Sequence, residues 1–378
     1  MPRSAFPRTK RLVVKVGTGS LTDEKGRFDR ANCSRLAAEV AEVARGRRVV
    51  LVSSGAVALG AEELGLVRTA GKPWDIATKQ AAAAVGQPHL MAAWTASLAA
   101  HGLVTAQMLL TADDLASRHR FLNARRTFAK LLEQGVVPVV NENDTVAVDE
   151  IKVGDNDTLA ALVAGCVEAD AVVMLTDVEG LYDRHPALPG AVLLHEVERV
   201  GADIERIAGG AGTERSIGGM ATKVRAARRL ATQGVVTALL SGRRPRALPE
   251  LFAGAQIGTV FARDHVRISS RKGWLAAAAR GKGTILVDAG ARRALAEQGR
   301  SLLPSGVRGV QGSFGVGDPV DIAVETGRPF ARGLAGYAAH ELRRIAGLKT
   351  SEIERALGYK YLDEVIHRND LVVLGEQT

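Results

Sequence analysis

Leu12-Val13-Val14-Lys15-Val16-Gly17-Thr18-Gly19-Ser20 is the stretch that decides the fold. An almost unbroken apolar run stops at a glycine-punctuated turn, as in a strand covered on both faces by helices. Outward from it, residues 48–52, 136–140, 171–175 and 235–240 repeat the apolar run. Ala-rich helical patterns fall between them, near 30–45, 78–100, 112–134, 157–168 and 219–233. Strands and helices in alternation predict an α/β fold, a mainly parallel sheet sandwiched by helices. Ligands of such sheets gather beyond the carboxyl ends of the strands.

The texture changes after about residue 265. Short strand patterns at 284–287, 306–310, 319–323 and 329–334 are separated by glycines, with helical patterns at 291–297 and 338–346. The expected plan is an α/β domain over 1–265, a linker over 266–281, a small mostly β domain over 282–365 and a tail over 366–378. The 378 residues carry a formal charge of +9, which favours anionic partners such as nucleotides, acidic metabolites or RNA. Cys33 and Cys166 lie in no CxxC or CxxH pattern, so neither a disulfide framework nor a structural zinc site is expected. The first residues lack the apolar run of a signal peptide, and the apolar stretch 159–175 is cut by Glu168 and Asp170. A soluble, cytoplasmic protein that does not engage a membrane is expected.

Chemistry-bearing residues cluster at the strand ends. Lys15 is a lysine inside an apolar strand, costly to bury without a negative partner, and Gly17 and Gly19 let backbone amides approach an anion. Ser53-Ser54-Gly55 places small hydroxyls and a glycine between a strand and a helix N-terminus, a natural anion site. Asn141-Glu142-Asn143-Asp144 follows the third apolar run, and Lys152-Val153-Gly154-Asp155-Asn156-Asp157 opens the next helix. Carboxamides and carboxylates of this kind suit a zwitterion: Asp binds an ammonium, Asn either end. Thr176 and Asp177 close the fourth run. Gly218-Gly219-Met220-Ala221-Thr222-Lys223 opens a helix with glycines and a lysine, but it is not the GxxxxGK[ST] loop. No GxGxxG follows the first strand, which excludes a Rossmann dehydrogenase.

In this order the segments resemble the amino acid kinase family. The resemblance rests on residues 14–18, 53–56, 107–110, 120–125, 141–144, 154–157 and 218–223, and the C-terminal part, through 301–304 and 342–347, resembles a PUA domain. It implies ATP-dependent phosphorylation of the γ-carboxylate of L-glutamate to L-glutamyl 5-phosphate, the first step of proline biosynthesis, with ATP and Mg2+ as cofactors. Sibling acceptors in the family are N-acetylglutamate, aspartate, carbamate and UMP; the 141–144 cluster and the appended domain favour free glutamate.

Residue by residue, the resemblance implies that Lys15 and Lys223 contact the ATP phosphates and that Asp157 orients both lysines. Ser54, Asp144 and Asn156 bind glutamate, with Asn141 close by. Gly17, Thr176, Asp177 and the loop Ile217, Gly218, Gly219, Met220, Ala221, Thr222 and Lys223 line the nucleotide. Position 217, where the family pattern calls for a small or hydroxyl residue, holds Ile217. The resemblance further implies feedback inhibition by L-proline and a homodimer or homotetramer. RNA binding by the PUA-like domain stays open. A glutamate side chain, with a pKa near ~4.3, is already ionised at neutral pH, so no general base is required and the absence of a His or Cys catalytic arrangement fits.

Overall fold

The computed structural model describes residues 2–66, 74–147, 156–209, 219–263, 281–325 and 327–374. The chain divides into two compact units, Met1–Val266 and Arg267–Thr378. The expected linker, 266–281, lies almost wholly outside the described residues, as do Lys152, Val153, Gly154, Asp155, Ile217 and Gly218.

The first unit runs β1 (Arg11–Val16), α1 (Thr18–Leu21), α2 (Arg30–Ala44), β2 (Arg48–Ser53), α3 (Ala56–Glu63), α4 (Ile76–Ala99), β3 (Thr105–Leu110), α5 (Ala112–Ala116), α6 (Arg118–Glu133), β4 (Val137–Glu142), α7 (Asn156–Val167), β5 (Ala171–Thr176), β6 (Glu196–Val197), α8 (Ala202–Gly209), α9 (Gly219–Thr232), β7 (Val236–Ser241), α10 (Ala247–Phe252) and β8 (Thr259–Phe261). The sheet order is β3-β4-β2-β1-β5-β7-β8-β6. All pairs from β3 to β7 are parallel, β8 runs antiparallel to β7, and β6 is parallel to β8. The five apolar runs read from the sequence are the five central strands. β3 escapes that reading because it is an edge strand, only partly buried along most of its length. The expected helix over 112–134 is two helices, since Ser117 adopts an extended conformation between them.

Strand alternation divides the core into two layers and aims the polar residues. Leu12, Val14 and Val16 pack with Val173 and Leu175 beneath α2, α3, α4 and α10. Val13, Val52, Val172 and Met174 pack on the opposite face with α6, α7 and α9. Lys15 shares the parity of Val13 and therefore projects toward the α7 side.

Helices α3 and α4 cross at a backbone contact. A Cβ built on Gly60 would lie 1.7 Å from the Ala82 carbonyl oxygen, and one on Gly86 would lie 1.9 Å from that of Ala56. Only glycine fits at either position. Gly86→Ala should force the helices apart, destabilising the protein by about 3 kcal/mol and lowering its thermal midpoint by roughly 6–12 °C. An unchanged midpoint in a melting scan would show that the two helices separate freely.

The second unit is built on a five-stranded sheet of β9 (Gly283–Val287), β10 (Val307–Gly312), β11 (Pro319–Ala323), β12 (Ala331–Leu334) and β13 (Leu371–Val373), in the order β10-β9-β11-β12-β13. Its core gathers Ile285, Val320, Ile322, Tyr337, Leu342 and Ile366. β13 pairs with β12 and Leu371 is buried, so the sheet takes in residues that the sequence reading placed in the tail. Three residues of strand pattern near a chain end carry too little periodicity to be seen in the sequence.

Candidate active site

A cleft of about 300 Å3 opens beyond the carboxyl ends of β1, β2, β4 and β5. Its walls include Lys15, residues 17–19, Ser54, Asn141, Asp144, Asn156, Thr176, Asp177 and Lys223. Residues singled out from separate strand ends thus meet in one place. Gly219, Met220, Ala221 and Thr222 form the first turn of α9.

The charged centre is a triad. Asp157, at the start of α7 and 1% exposed, receives Lys15 Nζ on Oδ1 at 2.6 Å and Lys223 Nζ on Oδ2 at 3.0 Å. The Thr222 hydroxyl also donates to Oδ2, at 3.1 Å, and Lys223 Nζ donates to the Gly219 carbonyl at 3.0 Å. Burial by itself would raise the Asp157 carboxyl, but the two ammonium groups outweigh it and hold the group below the usual carboxylate range. Within the triad two cations face one anion, an excess of one positive charge. Beside it, Gly17 N donates to the Leu175 carbonyl at 3.0 Å, and a Cβ at Gly19 would lie 3.1 Å from the Asp177 side chain. The glycine turn is therefore drawn tight against the end of β5.

The other end is built from amides. Asn156 Nδ2 donates to Ser54 Oγ at 2.7 Å and to Asn141 Oδ1 at 3.0 Å. The backbone N–H of Glu142 donates to the same Asn141 oxygen at 2.9 Å, and Asn141 Nδ2 donates to Gln87 Oε1 at 2.8 Å. Among the described residues, Asn156 Oδ1 is a buried acceptor with no donor. Asp144, half-buried, has no cation or donor among them either, and burial raises its carboxyl above the ordinary value. Ser54 stands before Gly55, whose φ of +112° only glycine adopts readily and which caps α3. Gln87 is absent from the residues that the sequence points to, because a glutamine in an Ala-rich helix carries no chemical signal of its own; Glu142 lies within the 141–144 cluster.

The cleft therefore has an end where two lysines share one carboxylate and an end offering, among the described residues, a carboxylate without a partner and an open carbonyl acceptor. Such a division suits an anion-rich cosubstrate facing a small zwitterion, the layout of a small-molecule phosphotransferase. The sequence pattern of the amino acid kinase family matches residues 10–240, and that of the PUA domain matches 283–357. The chain belongs to the amino acid kinase family. It is 80% identical over 374 residues to the glutamate 5-kinase of Anaeromyxobacter dehalogenans (strain 2CP-C), covering 99% of each chain. It is 52% identical to the glutamate 5-kinase of Myxococcus xanthus (strain DK1622) over 98% of each chain. It is also 50% identical to that of Syntrophotalea carbinolica over 99% of this chain and 100% of the relative.

Proposed function

We propose that the protein transfers the γ-phosphoryl group of ATP to the γ-carboxylate of L-glutamate, giving L-glutamyl 5-phosphate and ADP. The observation that carries this reading is the division of the cleft, with two lysines sharing Asp157 at one end and, at the other, the Asp144 carboxylate, which has no partner among the described residues. The glutamate 5-kinase that is 80% identical over 99% of this chain supports the same reaction.

In this reading Asp144 and Asn156 Oδ1 receive the α-ammonium of glutamate. The Ser54 hydroxyl, whose oxygen already accepts from Asn156, turns its proton toward the α-carboxylate. The γ-carboxylate, ionised at neutral pH, attacks phosphorus without a base. One P–O bond forms to the carboxylate oxygen, the bond to the β–γ bridging oxygen breaks, and no proton moves. The barrier is repulsion between anions, so catalysis rests on positioning and charge neutralisation. Lys15 neutralises the transferring phosphoryl group and Lys223 the bridge oxygen as charge develops, while Asp157 keeps both ammonium groups at their posts. Asp177, against the glycine turn, would hold a phosphate-borne Mg2+, and Thr176 would border the nucleotide. The Mg2+ supplies further neutralisation of phosphate charge.

The same reading brings with it work in the cytoplasm, feedback by L-proline and assembly as a homodimer or homotetramer. Among the described residues no helix is long and apolar enough to cross a membrane. The chemistry is assigned to residues 1–265. The resemblance of 282–365 to a PUA domain leaves RNA binding an open role for that part of the chain.

The direct test traps the acyl phosphate. Protein incubated with ATP, Mg2+ and L-glutamate in hydroxylamine should give the γ-hydroxamate, and parallel reactions with N-acetylglutamate, aspartate or UMP should give no product. ADP release only with another acceptor would overturn the substrate assignment. Asp144→Ala should raise the KM for glutamate about 10- to 100-fold, with the KM for ATP nearly unchanged, because it removes the ammonium's counter-charge. Equal changes in both would place Asp144 outside the amino-acid pocket.

A further inference from the structure

Helix α4 carries three polar side chains at seven-residue spacing, Gln80, Gln87 and Trp94. Seven residues is close to two helical turns, so the three fall on one stripe, drifting only about 20° per step. Each reaches a different segment of the cleft wall. Trp94 Nε1 donates to Ser53 Oγ at 2.8 Å, beside Ser54 at the end of β2. Gln87 Oε1 accepts from Asn141 at the end of β4 at 2.8 Å. Gln80 Nε2 donates to the carbonyl of Ala147 at 3.2 Å, three residues beyond Asp144.

In the middle contact two amides meet, and a neighbouring group sets its direction. The backbone N–H of Glu142 can only donate, so the Asn141 atom facing it at 2.9 Å is the carbonyl oxygen. Asn141 Nδ2 must then point toward Gln87, and Gln87 must present its own carbonyl. On the far side, Asn156 meets the same Asn141 oxygen with its NH2 group, which leaves Asn156 Oδ1 as the acceptor without a donor. The Glu142 backbone N–H sets the polarity of the amide chain, and the Gln87 carbonyl satisfies the NH2 group that this orientation turns toward α4. Asn141 is 3% exposed, so no bulk water stands ready to replace the Gln87 acceptor.

We infer that the α4 stripe is the rear brace of the amino-acid half of the cleft, and that Gln87 is a positioning residue that satisfies the Asn141 NH2 and so holds Asn141, and through it Asn156, in the amide direction set by the Glu142 N–H. The inference rests on the functional reading above for which substrate responds, but the amide geometry is independent of it. Without the Gln87 acceptor, the buried Asn141 NH2 is left unsatisfied, and turning to find a partner breaks its bond to Asn156.

The test compares Gln87→Glu, which keeps an acceptor at the same reach, with Gln87→Leu, which removes it, and Gln87→Lys, which offers only donors. Gln87→Leu should raise the glutamate KM about tenfold and Gln87→Lys more, with the ATP KM and the thermal midpoint little changed and Gln87→Glu staying within about threefold of the parent. In 15N-labelled protein without substrate, Gln87→Leu should shift the side-chain amide resonances of Asn141 and Asn156, assigned through Asn141→Asp and Asn156→Asp. Unmoved resonances, or equal KM changes for both substrates in all three variants, would overturn the inference. Should Gln87→Leu not fold, the contrast between Gln87→Glu and Gln87→Lys decides the matter in the same way. Shifted resonances in a protein that gives no glutamyl hydroxamate would uphold the brace and reject the substrate.

Discussion

Lys223→Ala should lower turnover about 10^2- to 10^3-fold, and Lys15→Ala should do the same, with the fold intact in both. Both ammonium groups are pre-placed: Lys15 is 4% and Lys223 9% exposed, and one carboxylate holds both within 3.0 Å. A cation that needs no reorganisation is worth most where charge develops in the transition state. Loss of one lysine also relieves the crowding of like charges around Asp157, so stability should change little. ADP release by a coupled assay, with circular dichroism as the control on folding, reads the prediction. Near-parent turnover from well-folded protein would remove the lysine in question from the phosphoryl-transfer machinery.

Asp157 reverses that pattern. Asp157→Ala strands two buried ammonium groups without their counter-charge, a kind of change that costs about 3–5 kcal/mol in closed interiors. Here Lys15 and Lys223 border an open cleft that admits water, so the lower end, about 3 kcal/mol, is expected. The same carboxyl has a pH signature. Its folded-state pKa is depressed, so the stability it contributes is present above the unfolded value of ~3.9 and is lost as pH falls through the lower folded value. The parent should therefore lose stability more steeply than Asp157→Ala below about pH 4. Denaturant melts at neutral and acidic pH measure both effects, and identical acid limbs for the two proteins would contradict the depressed carboxyl.

The sequence made the charged centre legible because charge in an apolar setting is conspicuous. Lys15 interrupts a valine run, Asp157 stands in the first turn of a helix whose following residues are mostly apolar and small, and Lys223 follows a glycine pair in the opening turns of α9. The central strands were legible for a related reason: strands buried on both faces, such as β1 and β5, show as solid apolar runs. What stayed hidden depends on neighbours distant in the chain. β3 is half-exposed at the sheet edge and mixes Gln107 and Thr105 with its apolar residues. Nothing in the run 141–144 distinguishes Asp144, with no partner among the described residues, from Asn141, which is locked in an amide chain. That distinction needs Gln87 and Asn156, which lie 54 and 15 residues from Asn141. A heptad-spaced Gln, Gln and Trp on an Ala-rich helix becomes meaningful only once the strands they brace are in place.

The crossing of α3 over α4 has a consequence for mutational tolerance. Gly60 and Gly86 touch no substrate-binding side chain, yet each fills a gap that one methyl group would overrun. A library randomising every position and scored on activity would find these two glycines as intolerant as the paired lysines. The intolerance would map a joint between main chains, and the two kinds of position separate only when folding and turnover are scored apart.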